Sequence, residues 1–171
     1  RALDTEILGY TEAVGIRPLR EAIAAYHRRR DGLDVRADDV VVTTGSSGGF
    51  TALFLAAFDP GDIVVMARPG YPAYRNTLQA LGCRVHEIAC GADTRYQPTV
   101  AQLEAVTVEL GHAPAGLIVA SPANPTGTII DADELAALAR WCESNGTLLI
   151  SDEIYRGVTY GRECASAWRA S

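Results

Sequence analysis

A chain of 171 residues with 48% hydrophobic and 21% charged residues has the make-up of one globular domain with a sizeable core. Its net charge of −6 argues against nucleic acid or an anionic membrane as the main partner, and no apolar run is long enough to span a bilayer. Cys83, Cys90, Cys142 and Cys164 are dispersed without a CxxC pair, and His27, His86 and His112 share no ligand spacing. That pattern fits reduced thiols in a cytoplasmic protein with no metal centre.

Residues 17–30, RPLREAIAAYHRRR, read as an amphipathic helix with Pro18 in its first turn, and Arg28, Arg29 and Arg30 suit its C-terminal dipole. DVVVTT at 39–44 reads as a β-branched strand, the glycine-rich GSSGG as a turn, and FTALFLAAF as an apolar helix. DPGD turns the chain into a strand, IVVMA. YPAYRNTLQALG follows as a helix stopped by Gly82, and CRVHEI as the next strand. TVAQLEAVTVEL is helical and AGLIVAS a strand. DADELAALARWCESNG is a helix with Asp131 as cap and Gly146 as stop, and TLLIS is the last strand. Strand–helix alternation at this spacing predicts a three-layer α/β fold, a mainly parallel sheet with helices on both faces.

Ligands of such sheets gather beyond the carboxyl ends of the strands, and the unusual residues fall there. TGSSGG exposes backbone N–H groups and the hydroxyls of Ser46 and Ser47, an anion cradle if it is more than a tight turn. RPGYPAY offers Tyr71 for stacking on a planar ligand, while Tyr74 reads as an aromatic packed on the core. SPANPTGT brackets Asn124 with prolines that hold its amide in one orientation. SDEIY places Asp152, Glu153 and Tyr155 at the mouth of a buried strand, where an unpaired carboxylate is costly. Asp152 therefore needs a helix N-terminus, water or a cationic ligand as partner.

These motifs, in this order, together with YTEAVGIRPLREAIAAY and DPGD, resemble the pyridoxal-phosphate-dependent aminotransferases of fold type I, class I/II. The resemblance spans nearly the whole chain. It implies pyridoxal 5′-phosphate as cofactor, an amino acid and a 2-oxo acid as substrates, and a homodimer. It also implies roles for named residues. Ser46 and Ser47 match the phosphate site, and Tyr71 the aromatic on the pyridine ring. Asn124 and Tyr155 match partners of the 3′ oxygen, and Asp152 the carboxylate beneath the ring nitrogen. Tyr10 matches a tyrosine that reaches the phosphate of the neighbouring subunit.

One departure is decisive for the chain by itself. All fifteen basic residues are arginine, so the Schiff-base lysine of the family is absent. GVTYGRECASAWRAS resembles the stretch just before the lysine strand. The expectation is thus an internal fragment or a truncated gene product: residues 1–35 lead into a large domain, 36–171 form part of the cofactor-binding domain, and a C-terminal small domain is absent. Two other readings stay open. Gly45-Ser46-Ser47-Gly48-Gly49 also fits the G-x-S-x-G elbow of a serine hydrolase with Ser47 as nucleophile. A non-catalytic binding module of the same fold is the other.

Overall fold

The computed structural model describes residues 2–5 and 9–169, and its chain divides into two compact units, Arg1–Gly49 and Phe50–Ser171. The first unit contains the short helix α1 (Ala2–Thr5), the helix α2 (Arg17–Asp31) and the start of α3 (Gly45–Ala57). Helix α2 has Pro18 in its first turn and ends on Gly32, whose φ of 63° lets its N–H cap the Arg28 carbonyl. Arg20 of this unit is buried. Its guanidinium donates to the Gly15 carbonyl at 3.0 Å, the Ala37 carbonyl at 3.1 Å and the Glu12 carboxylate at 3.0 Å.

Residues 39–44 do not form the expected strand: 37–39 make a 3₁₀ turn and 40–43 run on without a ladder. A β-branched run becomes a strand only when another strand takes its hydrogen bonds. Here the Val42 N–H donates to the Val14 carbonyl at 3.0 Å, a single cross-chain bond rather than a ladder. GSSGG, expected as a turn, is instead the first turn of α3.

The second unit is a four-stranded parallel sheet in the order β2-β1-β3-β4. The strands are β1 (Ile63–Arg68), β2 (Arg84–Ala89), β3 (Gly116–Ala120) and β4 (Leu148–Asp152), joined by α4 (Pro72–Ala80), α5 (Val100–Leu110) and α6 (Ala132–Asn145). Alternating residues of β1 point to opposite faces, as strand geometry demands. Val64 and Met66 meet Phe50, Phe54, Phe58, Tyr74 and Leu78 on one face. Val65 packs with Leu103, Val106, Leu135, Leu138 and Trp141 on the other. The two faces thus carry separate apolar clusters, which is why β1 and β3 read as continuous hydrophobic runs.

Helix α5 starts at a capping box that pattern reading overlooked: Thr99 Oγ1 accepts from the Gln102 N–H and the Thr99 N–H donates to Gln102 Oε1 at 3.0 Å. Helix α6 stops at Gly146 as expected, with φ of 66°. Its Asp131 is not a side-chain cap, however. The carboxylate bonds Arg95 at 2.5 Å and Arg162 at 2.7 Å, because two charge-assisted bonds outcompete an amide N–H.

Candidate active site

The chain leaves β1 toward β2 on one side and leaves β3 toward β4 on the other. The order therefore reverses between β1 and β3, and a crevice opens beyond their carboxyl ends. Three of the marked loops of the second unit follow β1, β3 and β4 at that rim. Pro72 opens α4 directly after Tyr71, so that Tyr71 precedes the helix and Tyr74 lies one turn inside it. Their rings meet edge to face with centroids 5.4 Å apart, and Tyr74 packs edge-on to Phe50 at 5.0 Å.

Asp152 ends β4, half-buried. Its Oδ2 accepts a hydrogen bond from the Tyr74 hydroxyl, and its Oδ1 accepts from the Ile154 N–H at 3.1 Å. The acid at the mouth of the core thus has a protein partner before any ligand arrives. The sequence favours a core position for Tyr74 over one at the ligand, and its side chain is only 3% exposed. What periodicity could not reveal is where its hydroxyl ends. Burial first, and then the bond to Asp152, push ionisation of that hydroxyl far above its ordinary range. Tyr74 is thereby kept a donor. A carboxylate has about four lone-pair sites, so Asp152 retains capacity for a further N–H donor.

Asn124 sits in SPANPTGT, where the Ser121–Pro122 and Asn124–Pro125 bonds are both cis. With Tyr155, which is 43% exposed, it lines a cleft of about 830 Å³ that Tyr96, Tyr160, Arg95 and Arg162 also border. Among the described residues, neither the Asn124 carboxamide nor the Tyr155 hydroxyl has a hydrogen-bond partner, which leaves both able to take a ligand oxygen. Glu153 is structural: it accepts from the Ser151 hydroxyl at 3.1 Å and the Ala167 N–H at 2.8 Å.

Ser46, Ser47 and Tyr10 belong to the first unit. Both serines are exposed in the opening turn of α3, where backbone N–H groups point out of the helix without intrahelical acceptors. Tyr10 is fully exposed. The hydrolase elbow loses its premise here, because Ser47 follows no strand among the described residues.

A parallel sheet whose order reverses between β1 and β3, with a carboxylate, an amide and tyrosines beyond its strand ends, defines an α/β domain of the doubly wound class. The chain belongs to the aminotransferase class I and II family, whose profile matches residues 1–170. It is 54% identical to the valine–pyruvate aminotransferase of Mycobacterium tuberculosis over 99% of this chain and 43% of that protein. It is 34% identical to the aspartate/prephenate aminotransferase of Thermus thermophilus over all of this chain and 44% of that one. An aminotransferase crystal structure from Mycobacterium tuberculosis superposes with a TM-score of 0.93 at 53% identity, covering 99% of this chain and 46% of that chain. The chain therefore spans less than half the length of these relatives.

Proposed function

We propose that these residues form part of the pyridoxal 5′-phosphate site of an enzyme that moves an amino group between an amino acid and a 2-oxo acid. The observation that carries this reading is the Tyr74–Asp152 bond, which fixes a carboxylate with spare acceptor capacity at the end of a buried strand. When bound, the cofactor supplies a protonated pyridine ring that withdraws electrons from the substrate's α-carbon.

The chain's own part is to hold that ring and its charge. Asp152 would accept from the ring N–H and favour its protonated form. Tyr71 would supply the aromatic surface for the ring. Asn124 and Tyr155 would donate to the ring oxygen. Ser46, Ser47 and the adjoining backbone N–H groups would take the phosphate. Tyr10 would serve the phosphate of a neighbouring subunit in a homodimer. The name of the Mycobacterium tuberculosis relative supports valine and pyruvate as the substrate pair. A cytoplasmic location is consistent with the four free thiols. Among the described residues no helix is long and apolar enough to cross a membrane.

The chain contains no lysine, so these 171 residues supply neither the covalent attachment nor an ε-amino group to move the α-proton. The test is titration of the purified chain with pyridoxal phosphate, followed by the cofactor's absorbance. Reversible binding that dialysis removes and Asp152→Ala weakens is expected, with no transamination. Borohydride treatment that fixed the cofactor stoichiometrically to an internal residue, or equal affinity in Asp152→Ala, would sink the proposal.

A further inference from the structure

Between β2 and α5 the chain turns through two consecutive residues of positive φ, Arg95 at 54° and Tyr96 at 60°. Side-chain-bearing residues rarely adopt this left-handed conformation, and two in succession need support from their surroundings. The support is visible. The Tyr96 N–H donates to the Gly91 carbonyl at 2.7 Å, and the Arg95 side chain is bound by Asp131 at 2.5 Å and by Glu134. The turn drives the next side chain inward: Gln97 is only 4% exposed.

Gln97 meets the two ends of the loop that carries Asn124. Its Nε2 donates to the Ala120 carbonyl at 3.1 Å, where β3 gives way to the loop. It also donates to the Thr128 carbonyl at 3.2 Å and to Thr128 Oγ1 at 3.1 Å, where the loop returns. Two amide hydrogens thus serve three acceptors, one of them shared. Within the loop the Ala123 N–H donates to the Thr128 carbonyl at 2.9 Å and the Gly127 N–H to the Ala123 carbonyl at 2.7 Å. The Thr128 carbonyl that Gln97 holds is therefore also the acceptor of the loop's own Ala123 N–H. Gln97, Ala120, Ala123 and Tyr74 also border one small cavity, so the amide lies against the inner wall of the Asn124 loop.

We propose that Gln97 is a positioning residue: its carboxamide closes the neck of the 121–128 loop and thereby sets the direction in which Asn124 presents its side chain. The consequence for cofactor affinity rests on the reading of Asn124 given above. An ordinary buried glutamine would stabilise the fold without affecting Asn124, and the two roles separate experimentally.

Gln97→Leu removes the donors at similar volume. Gln97→Glu keeps the shape but turns an acceptor toward three acceptors. Burial among those oxygens raises the pKa of the new carboxyl, so protonation restores one donor as pH falls. In ¹⁵N-labelled chain, Gln97→Leu is expected to shift the Asn124 side-chain amide resonances and to speed exchange of the Ala123 and Gly127 amides about tenfold, while Val65 and Leu117 stay unmoved. Gln97→Glu should show the same change at high pH and revert as pH falls. If Gln97→Leu fails to fold, this reversal in Gln97→Glu decides. Affinity for pyridoxal phosphate should fall by a similar factor in Gln97→Leu and Asn124→Ala, with no further loss in the double variant. Unmoved Asn124 resonances in Gln97→Leu, no reversal in Gln97→Glu, or fully additive losses would overturn the proposal. Failure of the parent chain to bind pyridoxal phosphate would instead remove the cofactor reading, and the Asn124 resonances would still judge Gln97.

Discussion

Tyr74→Phe separates the two roles of the residue that joins the core to the site. Phenylalanine keeps the ring contacts with Phe50 and Tyr71 and deletes the hydroxyl that Asp152 accepts from. A hydrogen bond to a charged group contributes roughly 1.5–3 kcal/mol. Asp152 keeps the Ile154 N–H and is partly open to water, so the low end applies, about 1.5–2 kcal/mol. For a chain of this length that lowers Tm by about 3–8 °C. The pH dependence follows from the raised ionisation of Tyr74. A group whose folded pKa lies above its unfolded value contributes fully below the unfolded value, about 10 for tyrosine, and progressively less as pH rises beyond it. Urea unfolding from about pH 8 upward should therefore show wild type losing stability faster than Tyr74→Phe once pH passes about 10. Tyrosinate absorbance at about pH 10.5 should match in the two folded proteins, and in urea the wild type should exceed the variant by about three-quarters of a tyrosine. That excess in the folded wild type, or an unchanged Tm, would refute the reasoning.

Gly116 pairs with Val64 and Leu148, and a Cβ there would strike the Phe58 ring, lying 2.7 Å from Cε1. Gly116→Ala should cost about 1–3 kcal/mol by overpacking, read as a lower urea midpoint; an unchanged midpoint would mean that Phe58 swings aside freely. All four cysteines are buried and free; burial pushes the Cys83 and Cys90 thiols up and that of Cys142 to about 11. A thiol reagent near pH 8 should thus label less than about one equivalent within minutes and all four in urea, and a single fast thiol in the folded chain would contradict this burial. Arg20→Met strands the Gly15 and Ala37 carbonyls at a local cost of about 2 kcal/mol or more. Amide exchange should accelerate in the first unit while β1 and β3 remain protected, and uniform protection would show that Arg20 holds nothing together.

The sheet was legible because its central strands β1 and β3 are buried on both faces and its strands are bounded by turn residues, features that a single stretch of sequence carries. IVVMA was marked as a strand by the DPGD turn before it, and AGLIVAS by its unbroken apolar run. Residues 39–44 have the same local character and form no strand, because the decisive property is a neighbour to pair with. GSSGG failed in the opposite direction. Its glycines read as a turn, yet residues 45–49 open α3, since the apolar positions of Phe50 and Phe54 carry the helix back through them.

The site was legible in its residue types and not in its connections. Asp152, Asn124 and Tyr155 stood out because acid, amide and phenol are conspicuous at the ends of apolar strands. Tyr74 did not, since a tyrosine one turn into an amphipathic helix has every reason to be core, and only the fold shows that its hydroxyl reaches a residue 78 positions away. Gln97 gave still less signal: a lone glutamine before a proline looks like loop. Its importance comes from the backbone of Arg95 and Tyr96, whose positive φ no propensity scale anticipates in non-glycine residues. The groups that would touch a ligand are therefore written in the sequence as motifs. The groups that aim them are written as long-range contacts, and these exist only once β1, β3 and β4 lie side by side. Asp152 is held by Tyr74, and the Asn124 loop by Gln97, through contacts that span 78 positions of sequence in the first case and 23 to 31 in the second, so the aim of these groups is set by the fold and by no single motif.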